Sequence, residues 1–172
     1  AEDLEAERDT LDQRVDERTN QMRRREAELF AASRLAHEIA TSENLDDLLD
    51  KSADMIRDTF GFYHAGIFLL DEKKEYAVLR SATGEAGRIM LARNHRLKVG
   101  EVGIVGFVVN RGEPRITMDV QQDSFHFKNP ILPETRAEMA IPMRMGSEIM
   151  GALDVQSTQP NAFTADDTRM FQ

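Results

Sequence analysis

One stretch of this 172-residue chain combines side chains that could hold a small acidic molecule. Residues 125–128 read Phe-His-Phe-Lys, and Thr135 and Arg136 follow after a proline-containing segment. The cations of Lys128 and Arg136 could bind a carboxylate or phosphate, and the phenylalanines could form apolar walls. Functional side chains concentrate on irregular segments of this kind. The alternative is a loop whose aromatic side chains pin it to a sheet.

Histidine supplies the other candidate chemistry. His64 lies in a predicted strand, where it either faces a ligand or is a satisfied core or interface histidine. The full set of predicted ligand-binding residues is His64, Phe125, His126, Phe127, Lys128, Thr135 and Arg136. The spacing of the histidines forms no local metal-ligand motif, so we predict no metal site. A haem held by His64, His95 or His126 remains an alternative.

The sequence contains no cysteine. This excludes thiolate metal sites, cysteine nucleophiles and the covalent attachment of a bilin. No Ser-His-Asp context, nucleophile elbow or purposeful pair of carboxylates is visible, so we predict no catalytic residues and no enzymatic activity in this fragment. Gly100, Gly103 and Gly106 precede a predicted helix, but their spacing matches neither dinucleotide nor P-loop patterns. We interpret them as turn and packing glycines. The cofactor, if any, stays unknown.

Charge and hydropathy limit the partners. The net charge of −9 argues against nucleic acid, whose backbone requires a basic surface. The chain has no apolar run of about 18 residues, so we predict no membrane contact by this fragment. We expect a cytoplasmic location, either free or as the cytoplasmic part of a membrane-anchored parent.

Glycine and proline divide the chain into two parts. All ten glycines and all five prolines lie after residue 60. Residues 1–60 therefore read as helical, and the remainder as a compact domain rich in turns. We predict a coiled-coil signalling helix over 1–42 and a globular domain over 43–172.

Residues 4–39 fit a heptad pattern, with three arginines, Arg8, Arg18 and Arg25, in the apolar seams. We predict a parallel dimeric coiled coil of modest stability, because isolated helices this polar are marginal. A lone charged helix and a disordered linker are the alternatives. The predicted dimer interface consists of Leu4, Leu11, Val15, Met22, Leu29, Ala36 and Ile39.

The second part alternates between helical and strand patterns. Asn44 is a candidate helix cap, Gly61 a helix stop, and Thr164 with Asp167 a capping box. Pro142 indicates an edge or a bulge in its strand. The predicted elements are helix 44–60, strands 62–70 and 75–82, helices 85–94 and 104–111, strand 114–118, strands 137–145 and 148–156, and a closing helix from 164. This order predicts an α+β fold, a mostly antiparallel sheet with flanking helices.

Four segments together resemble a GAF domain. They are GFYHAGIFLLDE at 61–72, VGEVGIVGFVVNRGEPRI at 99–116, PETRAEMAIPM at 133–143 and GALDVQSTQPNAFTADD at 151–167. Their order and spacing match over most of 43–170. The resemblance implies a sensory or dimerisation module with a ligand pocket. The preceding helix resembles those that join such modules to transmitters, which implies a sensor histidine kinase or another transmitter as parent.

The resemblance also limits the chemistry of this member. Cyclic-nucleotide-binding GAF domains carry Asn-Lys near the end of the last strand, then Phe with Asp-Glu. Phe163 and Asp167 match, but Thr168 stands in place of Glu, and Gln156-Ser157 in place of Asn-Lys. GAF-type methionine sulfoxide reductases use cysteine, which is absent here. We expect a regulatory module, with a ligand-free structural spacer, or a haem, metal or cyclic-nucleotide sensor, as alternatives.

Overall fold

A computed structural model describes residues 13–27, 44–124 and 126–170. The chain divides into two compact units, Ala1–Ala40 and Thr41–Gln172. In the first unit, residues 13–27 form helix α1. Val15 and Met22 are exposed on it, so this chain alone leaves them free to meet a partner helix. The predicted interface residues Leu4, Leu11, Leu29, Ala36 and Ile39 lie outside the described residues.

The second unit contains one six-stranded antiparallel sheet with the order β3-β2-β1-β6-β5-β4. Its strands are β1 His64–Leu70, β2 Tyr76–Ala82, β3 Arg96–Lys98, β4 Arg115–Thr117, β5 Ala137–Met145 and β6 Glu148–Ser157. Its helices are α2 Leu45–Phe60, α3 Gly84–Ala92, α4 Gly103–Arg111 and α5 Ala165–Met170. The predicted α+β fold, an antiparallel sheet with flanking helices, is confirmed.

The ends of the helices follow from local chemistry. The Asn44 side chain accepts a hydrogen bond of 2.8 Å from the Asp47 N–H, which satisfies a free donor in the first turn of α2. Gly61 ends α2 at φ +69°, a left-handed conformation that favours glycine. Before α5, the Asp167 carboxylate accepts hydrogen bonds from the Thr164 N–H and hydroxyl. These predicted caps are present.

Both faces of the sheet are covered, which explains why the central strands are buried on both sides. On one face, α2 packs against alternate residues of β1, β5 and β6, with Phe163 completing the cluster. On the other face, α3 and α4 cover Phe68, Ala140 and Ala152. The second face also carries the polar side chains of the candidate site.

Two details differ from the sequence prediction or refine it. Strand β3 was not predicted, because a three-residue edge strand of Arg-Leu-Lys carries no periodic signal; it is held by pairing with Tyr76–Val78. Pro142 lies beyond the end of β4, which pairs with β5 only up to Ala140, so at Pro142 the strand pairs with β6 alone and has a free edge on its other side. A register shift follows between Met143 and Arg144.

Candidate functional site

Three neighbouring strands bring four polar side chains together, named here the polar row: His64, Glu138, Asp154 and Gln156. Gln156 pairs with His64 on β1 and with Glu138 on β5, and Asp154 lies two residues away on the same face of β6. Side chains directly across a sheet lie about 5 Å apart at Cβ. All four are buried, with exposed fractions between 2% and 7%.

Hydrogen bonds join part of the polar row and leave one acceptor open. The Thr135 hydroxyl donates to Gln156 Oε1 at 2.6 Å, and Gln156 Nε2 donates to Asp154 Oδ2 at 2.7 Å. Asp154 Oδ1 is buried and receives no hydrogen bond from any described residue with a donor group. Buried acceptors are rarely left in this state. The Asp154 carboxyl also interacts with the second carboxyl, that of Glu138, through a side-chain hydrogen bond in which the pair can share one proton.

Burial makes the two carboxyls weak acids. Loss of hydration raises the pKa of Glu138 to about 7, although a hydrogen bond with Asp154 opposes the rise. Burial and the nearby Glu138 carboxyl raise the pKa of Asp154 well above its ordinary value. Two carboxyls this close cannot easily ionise together, so the pair holds a proton at neutral pH.

Two histidines border the carboxyls. His126 Nδ1 lies 2.6 Å from Glu138 Oε2. Burial lowers the pKa of His126, and the carboxyls of Asp154 and Asp123 oppose that lowering. At neutral pH this contact is therefore a hydrogen bond that holds one proton. His64 lies 3.5 Å from the Thr83 hydroxyl, and burial lowers its pKa to about 4, so it is neutral at pH 7.

The polar row forms one wall of a cavity between the sheet and α4. The centre of a water molecule can occupy about 20 Å³ of it, which is enough for one or two ordered waters. The other lining residues are Phe68, Met90, His95, Leu97, Gly103, Ile104, Val105, Phe127, Asn129 and Leu132. Phe127 is 38% exposed and lies beside the His95 ring, so it separates the cavity from solvent.

The start of α4 is built for close packing over this cavity. A Cβ atom at Gly106 would lie 2.6 Å from the Lys98 carbonyl oxygen, so only glycine lets the helix approach β3 this closely. Gly103 has φ +65° at the first residue of the helix. These contacts account for the spaced glycines as turn and packing residues, as the sequence indicated.

The structure distributes the predicted ligand residues over two places. His64 and Phe127 line the cavity, while Thr135 and His126 bond to members of the polar row. Arg136 instead pairs with Asp119 at 3.1 Å, and Lys128 is exposed; neither lines the cavity. Phe125 lies outside the described residues.

Sequence reasoning missed Glu138, Asp154 and Gln156 as a site. Each interrupts an otherwise apolar strand, in Ala-Glu-Met-Ala-Ile and Leu-Asp-Val-Gln. A polar residue at a position expected to be buried was the available signal. The pairing of the two carboxyls, however, depends on a strand register that spans a hairpin.

The family model for the GAF domain matches residues 42–172. The chain belongs to the GAF domain family. No curated protein matches this GAF domain significantly.

Solved structures of low sequence identity share the fold of this GAF domain. The GAF domain of the Coxiella burnetii phosphoenolpyruvate-protein phosphotransferase has a TM-score of 0.74 at 20% identity, covering 84% of this chain and 85% of that one. The GAF domain of the Acinetobacter phosphoenolpyruvate-protein phosphotransferase has a TM-score of 0.69 at 22% identity, covering 84% of this chain and 85% of that one. The free methionine-R-sulfoxide reductase of Neisseria meningitidis, in complex with its substrate, has a TM-score of 0.67 at 20% identity, covering 80% of this chain and 77% of that one. At these identities the likeness establishes the fold alone.

The residues that match the cyclic-nucleotide pattern have structural roles in this GAF domain. Phe163, which matches the cyclic-nucleotide pattern, is buried in the core beneath α2, and Asp167 caps α5. Within the described ranges, no group of three or more histidine, aspartate or glutamate side chains is placed to hold a metal ion. Among the same residues, no helix is both long and apolar enough to cross a membrane.

Proposed function

We propose that this chain is a regulatory GAF module that binds a small molecule in the cavity over the polar row. The module passes the signal to an output domain of the same protein. We propose that this parent protein is a sensor histidine kinase. Dimerisation through the N-terminal helix would carry the signal, because ligand binding that favours one of two helix packings shifts their populations. Membership of a regulatory and sensory family supports the first part.

The observation that carries the proposal is a pair of buried carboxyls, Glu138 and Asp154, on the wall of a cavity that no lysine or arginine among the described residues lines. Burying two carboxyls costs stability that apolar residues at the same positions would not cost. A ligand-free spacer would have no use for this arrangement. A bound molecule with hydrogen-bond donors would complete it.

We further propose binding without turnover. The Neisseria reductase among the structural neighbours was solved in complex with its substrate, which supports a ligand-binding use of this fold. The present sequence has no cysteine, and we infer that it lacks the thiol needed to reduce a sulfoxide. Nucleic acid is not among the proposed partners because the chain is acidic.

Native mass spectrometry of the purified chain, followed by a denaturing mass on the same sample, tests the ligand. We expect extra mass that disappears on denaturation and identifies the molecule.

Val105 lines the cavity, and Val109 on the same helix does not. Val105→Ile should therefore weaken binding by about tenfold or more, since one methylene in a fitted pocket has that effect. Val109→Ile, the matched control, should bind normally. Equal binding by both variants would place the ligand elsewhere, and a bare mass would favour the spacer.

The dimer has its own test. Replacing Leu11, Met22 and Leu29 with glutamate places charge in the predicted seam and should convert a dimer to a monomer in light scattering. A control variant adds the same charge on the opposite side of the helix, at Gln13, Asn20 and Ala27. It should remain dimeric. A dimer that survives the first triple substitution would show that the coiled-coil interface is wrong.

A further inference from the structure

We propose that the cavity recognises its ligand through a primary ammonium group placed against the carboxyls of Glu138 and Asp154. The inference rests on the proposed function, because it assumes that the cavity is the ligand site. It adds the chemical class of the ligand, a small amine. It also adds a consequence, that binding releases a proton to solvent.

Hydrogen-bond accounting favours a donor-rich cation. An ammonium group carries three N–H donors and no acceptor. The wall offers Asp154 Oδ1, to which no amide, hydroxyl or cationic group among the described residues donates, and the Glu138 carboxyl, whose Oε2 already bonds to His126 Nδ1 and which shares a proton with Asp154. Gln156 already uses both ends of its amide, with Thr135 and with Asp154. The unfilled positions of the polar row are therefore acceptors.

The charges around the cavity argue against an acidic ligand. No lysine or arginine is among the described residues that line it. Lys128 is exposed and Arg136 is paired with Asp119, so the two cations that the sequence suggested for an acidic ligand are not at the cavity. A carboxylate or phosphate placed there would meet two carboxyls without a counter-charge, which is costly in a buried site.

The remaining walls set the size of the ligand. Phe68, Met90, Leu97 and Ile104 are apolar, and suit a short hydrocarbon portion. The enclosed space admits little more than a methylammonium ion while Phe127 stays in place. A larger amine requires the partly exposed Phe127 ring to move outward.

Proton release follows from the pairing of the carboxyls. Without a ligand, one proton keeps Glu138 and Asp154 from ionising together; a bound ammonium ion makes double ionisation favourable and expels that proton. Affinity should therefore increase with pH until the free pair is itself ionised. The titratable or charged groups around the pair are His64 on β1, His95 before β3, and Asp123, His126 and Lys128 in the loop before β5.

The test is a titration with methylammonium chloride, followed by ¹H–¹⁵N and methyl NMR at pH 6, 7 and 8 at constant ionic strength. We expect saturable shifts at Ile104, Val105 and Leu132, with affinity rising by up to about tenfold from pH 6 to pH 7, the limit for release of one proton. Tetramethylammonium chloride, which has no N–H donors, and sodium acetate should leave these resonances unchanged.

Variants assign the effect to the carboxyls. Glu138→Gln and Asp154→Asn should each weaken methylammonium binding by about tenfold or more and flatten its pH dependence, because charged hydrogen bonds in buried sites have at least this effect. Glu134→Gln, at an exposed position near the start of β5, is the matched control and should bind as the wild type does. Two carboxyl variants are used so that the conclusion survives if one of them folds poorly.

Three outcomes would overturn the inference: acetate shifts the cavity resonances, methylammonium binds with no pH dependence, or methylammonium does not bind. The proposed function would survive any of these if native mass spectrometry found a different molecule that Val105→Ile excludes. A bare protein mass together with unresponsive cavity resonances would overturn both.

Discussion

We expect the unfolding free energy of the Glu138→Gln variant, relative to that of the wild type, to rise by about 3 kcal/mol between pH 4.5 and pH 7. The folded wild type holds the Glu138 proton up to a pKa of about 7, whereas the unfolded chain releases it near 4.5. Glu138 therefore stabilises the fold fully below pH 4.5, and this contribution is lost as the pH rises through 7. Glutamine cannot ionise, so the variant avoids the loss.

Urea denaturation of the variant and the wild type, at steps of half a pH unit from pH 4.5 to pH 8, measures this difference in unfolding free energy. The unfolding free energy of the wild type should itself change less with pH than the Glu138 contribution alone would make it, because the His64 contribution changes with pH in the opposite direction. The pKa of His64 is lowered to about 4, so its contribution is present above pH 6.5 and is lost as the pH falls toward 4. The exposed Glu134→Gln variant should run parallel to the wild type. A Glu138→Gln curve that is also parallel would show that the Glu138 carboxyl ionises normally in the folded protein.

Gly151→Ala should destabilise the domain by about 3 kcal/mol or more, because the added methyl group would clash with the backbone of the neighbouring central strand, which cannot move without disrupting the sheet. A Cβ atom at Gly151 would lie 1.9 Å from the Phe68 carbonyl oxygen on the neighbouring strand. Since β1 and β6 are central strands, relieving the overlap would displace Phe68 and with it the apolar side of the cavity. Denaturation midpoints and the NMR spectrum of the variant measure the effect.

Gly66→Ala provides the matched control on the adjacent strand. The nearest atoms to its Cβ would be side-chain atoms at 3.4 Å or more, an ordinary contact distance. Its stability should change by about 1 kcal/mol or less, since strands tolerate alanine at least as well as glycine. Equal losses from the two substitutions would contradict the steric explanation, because both replace a glycine in the same sheet.

Much of the fold could be predicted because the deciding interactions are local. The cap at Asn44, the left-handed stop at Gly61 and the Thr164–Asp167 pair each depend on residues within four positions of one another. The long strands were also predictable, β1 from its aromatic and β-branched residues and β5 and β6 from the alternation of apolar side chains. The edge strand β3 did not, because three residues between a loop and a turn depend entirely on pairing with β2.

By itself, the sequence determined the helix ends, the long strands, the acidic surface and the absence of thiol chemistry, since these depend on composition or on near neighbours. The tertiary structure decided the site. Glu138 and Asp154 are sixteen positions apart, and they meet because the register of β5 on β6 places both on the face beneath α4. That same face is closed to water, which turns two ordinary carboxyls into a pair sharing a proton. The register and the closure arise from packing over the whole sheet, and neither can be read from the residues around Glu138 or Asp154.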